Sequence, residues 1–83
     1  MVKIVIYTKD NCPYCRMAKE IFTGRKLAFE EIRVDLQADK LEEMIRLSQK
    51  RTVPQIFIND QSIGGYDDLT TLMKSGKLRE FGL

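Results

Sequence analysis

Histidine is absent from the 83-residue chain, and cysteine and proline occur twice each. A tetrahedral zinc site takes four ligands, and here there are two thiols, no imidazole and no second cysteine pair. Any metal or iron–sulfur cluster would have to be shared between chains or borrow an external thiolate, so no metal is expected. Two cysteines also do not make a disulfide scaffold; in a reducing compartment a close pair is more often catalytic or metal-binding than structural. Long apolar runs are missing as well. The longest, Ile4 to Tyr7, is far short of the roughly 20 residues a membrane-spanning helix needs, so no membrane partner is expected. The N-terminal MVKIVIY lacks the basic region, apolar stretch and small-residue cleavage site of a secretory signal, and a cytoplasmic location is the expectation. No charge sign is in excess: fourteen basic and twelve acidic residues leave +2, interleaved along the chain, and nothing demands a nucleic acid. Internal repeats, low-complexity tracts and linkers are absent too.

What is present is an ordinary globular composition, 43% hydrophobic and 31% charged. A chain this short buries only roughly 60% of its unfolded surface and cannot support two independent cores. One domain over residues 1–83, acting as a monomer, is expected.

The β-branched and aromatic stretch Val2 to Thr8 predicts a buried strand, ended by the polar turn Lys9-Asp10-Asn11. Pro13 can open a helix, where its missing N–H costs nothing, and Ala18, Ile21 and Phe22 form its apolar stripe up to Gly24. Residues 29–35 alternate with the apolar phase broken and predict a second strand. Residues 39–50 predict a helix with Leu41, Met44, Ile45 and Ser48 on one face. Gln55 to Ile58 and Ser62 to Gly64, separated by Asn59-Asp60-Gln61, predict a hairpin. Asp67 or Asp68 can cap a last helix that carries Leu69, Leu72 and Met73 and ends near Gly76. The order β-α-β-α-β-β-α implies a small mixed sheet: parallel strands in the first half, an antiparallel hairpin in the second, and helices against it.

The two cysteines fall in TKDNCPYC, at the junction of the first strand and first helix. Cys12 stands at the helix start and Cys15 one turn inside. Free N–H groups and the positive end of the helix dipole favour an anionic sulfur at Cys12, with Lys9 and Arg16 close enough to add to the effect. Cys12 is therefore the expected nucleophile. Cys15 can swing onto the sulfur of a mixed disulfide at Cys12 and release the reduced substrate. A buried cysteine serving only as a small hydrophobe is the competing reading of Cys15.

Two further motifs bear on a ligand. Val53-Pro54 precedes a strand, either because Pro54 starts it harmlessly or because a cis peptide turns the Val53 backbone outward to pair with an extended substrate. Gly64-Gly65-Tyr66-Asp67-Asp68 is a glycine turn opening a helix, an arrangement suited to a carboxylate through backbone N–H groups, or simply a capped helix start. Acidic side chains beside a carboxylate site suit a ligand with an ammonium group on the same carbon. Glutathione has such a head, a central cysteine and a second carboxylate, for which Lys9 and Arg51 are candidate partners or else solvated surface charges.

Taken together, CPYC at Cys12 to Cys15, TVP at Thr52 to Pro54 and GGYDD at Gly64 to Asp68 resemble the glutaredoxin family, in its bacterial dithiol class, along essentially the whole chain. The resemblance implies a thioredoxin fold, with a four-stranded mixed sheet flanked by three helices and Pro54 in the cis form. It implies glutathione-dependent disulfide exchange on protein disulfides and glutathionylated proteins, in which Cys12 attacks, Cys15 resolves and glutathione, the reducing co-substrate, regenerates the enzyme. By position Lys9, Tyr14, Thr52, Val53, Tyr66 and Asp67 line the glutathione groove, with Asp68 a further contact and the Gly65 turn supplying backbone. Tyr66 departs from the small residue or cysteine often found there in the family. Two other functions fit the same thiols: a redoxin that depends on thioredoxin reductase, and a cluster-binding or transfer module using Cys12 and glutathione across a dimer.

Overall fold

A computed structural model describes residues 2–83. The chain runs β1 (Ile4–Thr8), α1 (Pro13–Gly24), β2 (Glu30–Arg33), α2 (Ala38–Ser48), β3 (Gln55–Ile58), β4 (Gln61–Gly64) and α3 (Tyr66–Lys74), followed by a 3-10 helix, Lys77–Phe81. The strands form one mixed sheet in the order β2-β1-β3-β4. β1 pairs parallel with β2 and antiparallel with β3, and β3 pairs antiparallel with β4, as the expected β-α-β unit and hairpin require.

β1 and β3 read as unbroken apolar runs because, as central strands, they are covered on both faces. Side chains alternate across the sheet. Ile4, Ile6, Ile56 and Ile58 point to one side and pack with Ala18 and Phe22 of α1 and Leu69 of α3. Val5, Tyr7 and Phe57 point to the other and pack with Val34, just after β2, and Met44 of α2. Tyr7 and Phe57 meet edge to face, ring centroids 5.5 Å apart. The broken apolar phase of β2 reflects its place at the sheet edge, where Glu30 and Glu31 are exposed.

Two boundaries differ from expectation. The second strand is shorter than residues 29–35 because the chain turns at residues 34–36, although the Val34 N–H still bonds to the Thr8 carbonyl at 2.9 Å. The N-cap of the last helix is Gly65, in extended conformation, rather than Asp67 or Asp68; both aspartates lie in its first turn, and Asp68 caps from there by accepting the Gly65 N–H. The 3-10 helix was not expected. It places Leu78, 3% exposed, into the α1–α3 side of the core.

Candidate active site

Residues 9–11 turn the chain from the end of β1 into α1, with Asn11 at φ 51°, and leave Cys12 as the N-cap of that helix. Pro13 takes the first helical position, where no N–H is needed. The Cys15 N–H donates to Cys12 Sγ over 3.2 Å, satisfying one of the donors a helix start leaves without a partner. Cys12 and Cys15 are joined as a disulfide with Cα atoms 5.2 Å apart. The pair is unequal: Cys15 is 2% exposed in the core, while Cys12 is partly exposed.

The turn before Cys12 is tied to the end of β2. Asp10 donates its N–H to Asp35 over 3.1 Å, and Arg33 Nε and Nη2 donate to the same carboxylate at 2.7 and 2.6 Å. The Arg33 hydrogen bonds hold the Asp35 carboxyl well below the usual carboxylate range, opposed by burial and helped by the Asp10 N–H. Beside them the buried Thr8 hydroxyl donates to Glu31 at 2.7 Å and Lys19 Nζ donates to the same carboxylate oxygen at 2.8 Å. Lys19, more than Thr8, lowers the Glu31 pKa, against desolvation. Lys9, Arg16, Lys19 and Glu31 surround a polar hollow of about 200 Å³ that reaches both cysteines.

On the other side of Cys12, the Val53-Pro54 peptide is cis. The Val53 carbonyl oxygen lies 3.9 Å from Cys12 Sγ. A groove of about 260 Å³ runs past this segment to the start of α3. Of the residues predicted from sequence it brings together Tyr14, Thr52, Val53, Pro54, Gly65, Tyr66, Asp67 and Asp68. Lys9 and Arg51 are not in it. They line an adjoining hollow of about 420 Å³ with Val34, Asp35 and Leu41, and Thr52 and Val53 form the wall common to both.

The start of α3 is less open than the glycine turn suggested. Asp68 reaches back to accept the Gly65 N–H at 3.0 Å, so the donors left for an anion are the N–H groups of the first helical turn, beginning at Tyr66 and Asp67. Tyr66 does not close the groove. Its ring lies beside that of Tyr14, centroids 5.6 Å apart, and the two make an aromatic wall with Tyr14 58% exposed.

Lys50 and Gln55 also line the groove and were missed in the sequence. Lys50 adjoins the Arg51-Thr52-Val53 run and could have been found by proximity. Gln55 had one signal, a polar residue opening the apolar run Ile56-Phe57-Ile58. Among the described residues no group of three or more histidine, cysteine, aspartate or glutamate side chains could hold a metal ion, and no helix is long and apolar enough to cross a membrane.

The glutaredoxin family model matches residues 4–63. Glutaredoxin 3 of Escherichia coli K12 is 49% identical over 78 residues, 94% of this chain and 94% of the relative. Among solved structures, the glutaredoxin of Brucella melitensis is 40% identical, superposes with a TM-score of 0.82 and covers 96% of this chain and 87% of its own. A buckwheat glutaredoxin–glutathione complex is 28% identical at a TM-score of 0.86, covering 96% and 76% of the two chains. A strand-to-helix dithiol with one accessible sulfur, on a four-stranded mixed sheet shared with these structures, is thiol–disulfide exchange machinery on a thioredoxin fold: the chain belongs to the glutaredoxin family and is a thiol–disulfide oxidoreductase.

Proposed function

We propose that the protein is a glutathione-dependent oxidoreductase that reduces protein disulfides and removes glutathione from protein thiols. The observation that carries this reading is the position of Cys12: partly exposed, at a helix N-terminus, between buried Cys15 and the groove formed by Thr52-Val53-Pro54 and the start of α3. The likeness to a glutaredoxin solved as a glutathione complex supports the choice of ligand.

In the monothiol reaction the Cys12 thiolate attacks the glutathione sulfur of a mixed disulfide. The new Cys12–glutathione bond forms as the protein thiolate leaves, and a second glutathione thiolate then attacks the bound glutathione sulfur, giving glutathione disulfide and free Cys12. In the dithiol reaction Cys12 attacks a protein disulfide. Cys15 displaces the substrate thiolate from Cys12, leaving the Cys12–Cys15 disulfide present here, which two glutathione molecules reduce. Backbone N–H groups at Tyr66 and Asp67 would hold the glutathione α-carboxylate and the Asp67 side chain its ammonium group. The Val53 main chain would pair with the peptide, Tyr14 and Tyr66 would flank it, and Lys9 and Arg51 would take the second carboxylate. Pro54, Thr52, Gly65 and Asp68 shape this groove. Residues 1–83 act as one catalytic domain and one monomer suffices. A reducing compartment, the cytoplasm, suits a dithiol that must be returned to the reduced state.

A turnover assay on a glutathionylated peptide tests the reading, with electrons supplied by glutathione and its reductase or by thioredoxin reductase. Turnover with glutathione that is lost in Cys12→Ser is the expected result. Turnover with thioredoxin reductase alone would sink it.

A further inference from the structure

Gln55 is the first residue of β3 and only 1% exposed, one of two buried polar residues among those described. The other, Thr8, spends its hydroxyl on Glu31. Gln55 Nε2 donates to the Thr52 carbonyl at 3.0 Å and to Thr52 Oγ1 at 3.2 Å, while its buried Oε1 has no hydrogen-bond partner. Turning the amide over would set Oε1 against the Thr52 carbonyl oxygen, acceptor against acceptor, so chemistry fixes this orientation. A buried amide with an unpaired acceptor is a poor choice for packing alone. Methionine of similar size would fill the space without desolvating a polar group.

The amide does what methionine cannot: it holds Thr52 by both its carbonyl and its hydroxyl. Thr52 and Val53 form the wall between the groove and the adjoining hollow, and the Val53 carbonyl lies 3.9 Å from Cys12 Sγ. We infer that Gln55 is a positioning residue that clamps Thr52 and so fixes the Val53 main chain in the orientation that pairs with an extended peptide carrying the disulfide. With its hydroxyl and carbonyl both turned onto Gln55, Thr52 contributes shape, and recognition at this wall passes through the Val53 backbone. The inference deepens the proposed function and rests on it only for the identity of the peptide.

Steady-state kinetics of wild type and Gln55→Met test it on two substrates, a glutathionylated peptide and a peptide with an internal disulfide and no glutathione. Loss of the clamp is expected to raise KM about tenfold on both, with kcat changed less than about twofold, a split that general destabilisation does not produce. An unchanged KM, or a kcat that falls in step with kcat/KM, overturns the inference. Wild type that turns over the internal disulfide but not the glutathionylated peptide removes the glutathione reading and leaves the Gln55 test intact. Should Gln55→Met fail to fold, the side-chain amide protons of Gln55 in wild type decide it by NMR. Slow exchange with solvent and a shift on adding substrate support the clamp; fast exchange or no shift overturns it.

Discussion

The backbone N–H of Cys15 points at the sulfur of Cys12 across 3.2 Å, so the buried cysteine of the pair contributes a donor to the more exposed one. A helix start leaves such donors free, and a sulfur anion is the species they stabilise most. In reduced protein, alkylation of Cys12 is therefore expected to keep half its maximal rate well below pH ~8.5, the midpoint of an ordinary thiol. Cys15, buried, should react far more slowly. A midpoint at or above that of a free thiol would remove the helix-terminus account.

The unequal exposure of the pair predicts unequal variants. Cys15→Ser is expected to keep deglutathionylation, which needs one thiol, and to lose reduction of protein disulfides, which needs two. Parallel assays on the two substrates check this, and equal loss of both activities contradicts the division of labour.

Tyr66→Ala removes the partner of the Tyr14 ring, 5.6 Å away. Tyr66 also lines the groove, and loss of a ring contact with the ligand worth about 0.5–1.5 kcal/mol should raise KM for a glutathionylated peptide roughly two- to tenfold. No change in KM would show that the aromatic wall does not touch the ligand.

Gly64 sits at φ 112°, and a Cβ there would collide with the Asp68 carboxylate that accepts the Gly65 N–H. Gly64→Ala is expected to cost about 1–3 kcal/mol in urea unfolding, from backbone strain and the displaced carboxylate. It should weaken substrate binding as well, because the start of α3 shifts with Asp68. Wild-type stability in this variant would contradict the account.

Glu31 links stability to pH. Its folded pKa is lowered from the ordinary 4.5, chiefly by the Lys19 hydrogen bond with Thr8 adding to it. A depressed carboxylate contributes stability that is present above its unfolded pKa and is lost as pH falls through the folded value. Glu31→Gln should therefore be less stable than wild type at pH ~7, with the gap closing below pH ~4.5 as wild type loses its advantage. Urea midpoints across that range measure it, and a gap that widens toward acid would reverse the sign of the coupling.

Element order, the burial of β1, the helical stripes at Ala18 and Phe22 and at Leu41 and Met44, and the inequality of Cys12 and Cys15 were all legible in the sequence. Each depends on periodicity or on spacing within one element. Helix ends were less legible: the N-cap position of α3 is Gly65, and Asp68 caps the helix from its first turn by reaching back three residues. The 3-10 helix at the C-terminal end was invisible, since its apolar residues, Leu78 and Phe81, pack on a core assembled from distant strands.

Sequence alone determined where the dithiol stands, because its placement at a strand-to-helix junction depends only on neighbours within three or four residues. Tertiary structure decided how the remaining site residues divide. Tyr14 and the start of α3 share one groove, Lys9 and Arg51 share another, and the Thr52-Val53 wall between them hangs on Gln55. The Thr52–Gln55 bonds are local, three residues apart, but the two groove groupings join residues brought together by the pairing of β1 with β3 and the packing of α3 behind β4. Local sequence patterns do not record them, since each member's own segment is equally well formed without the others.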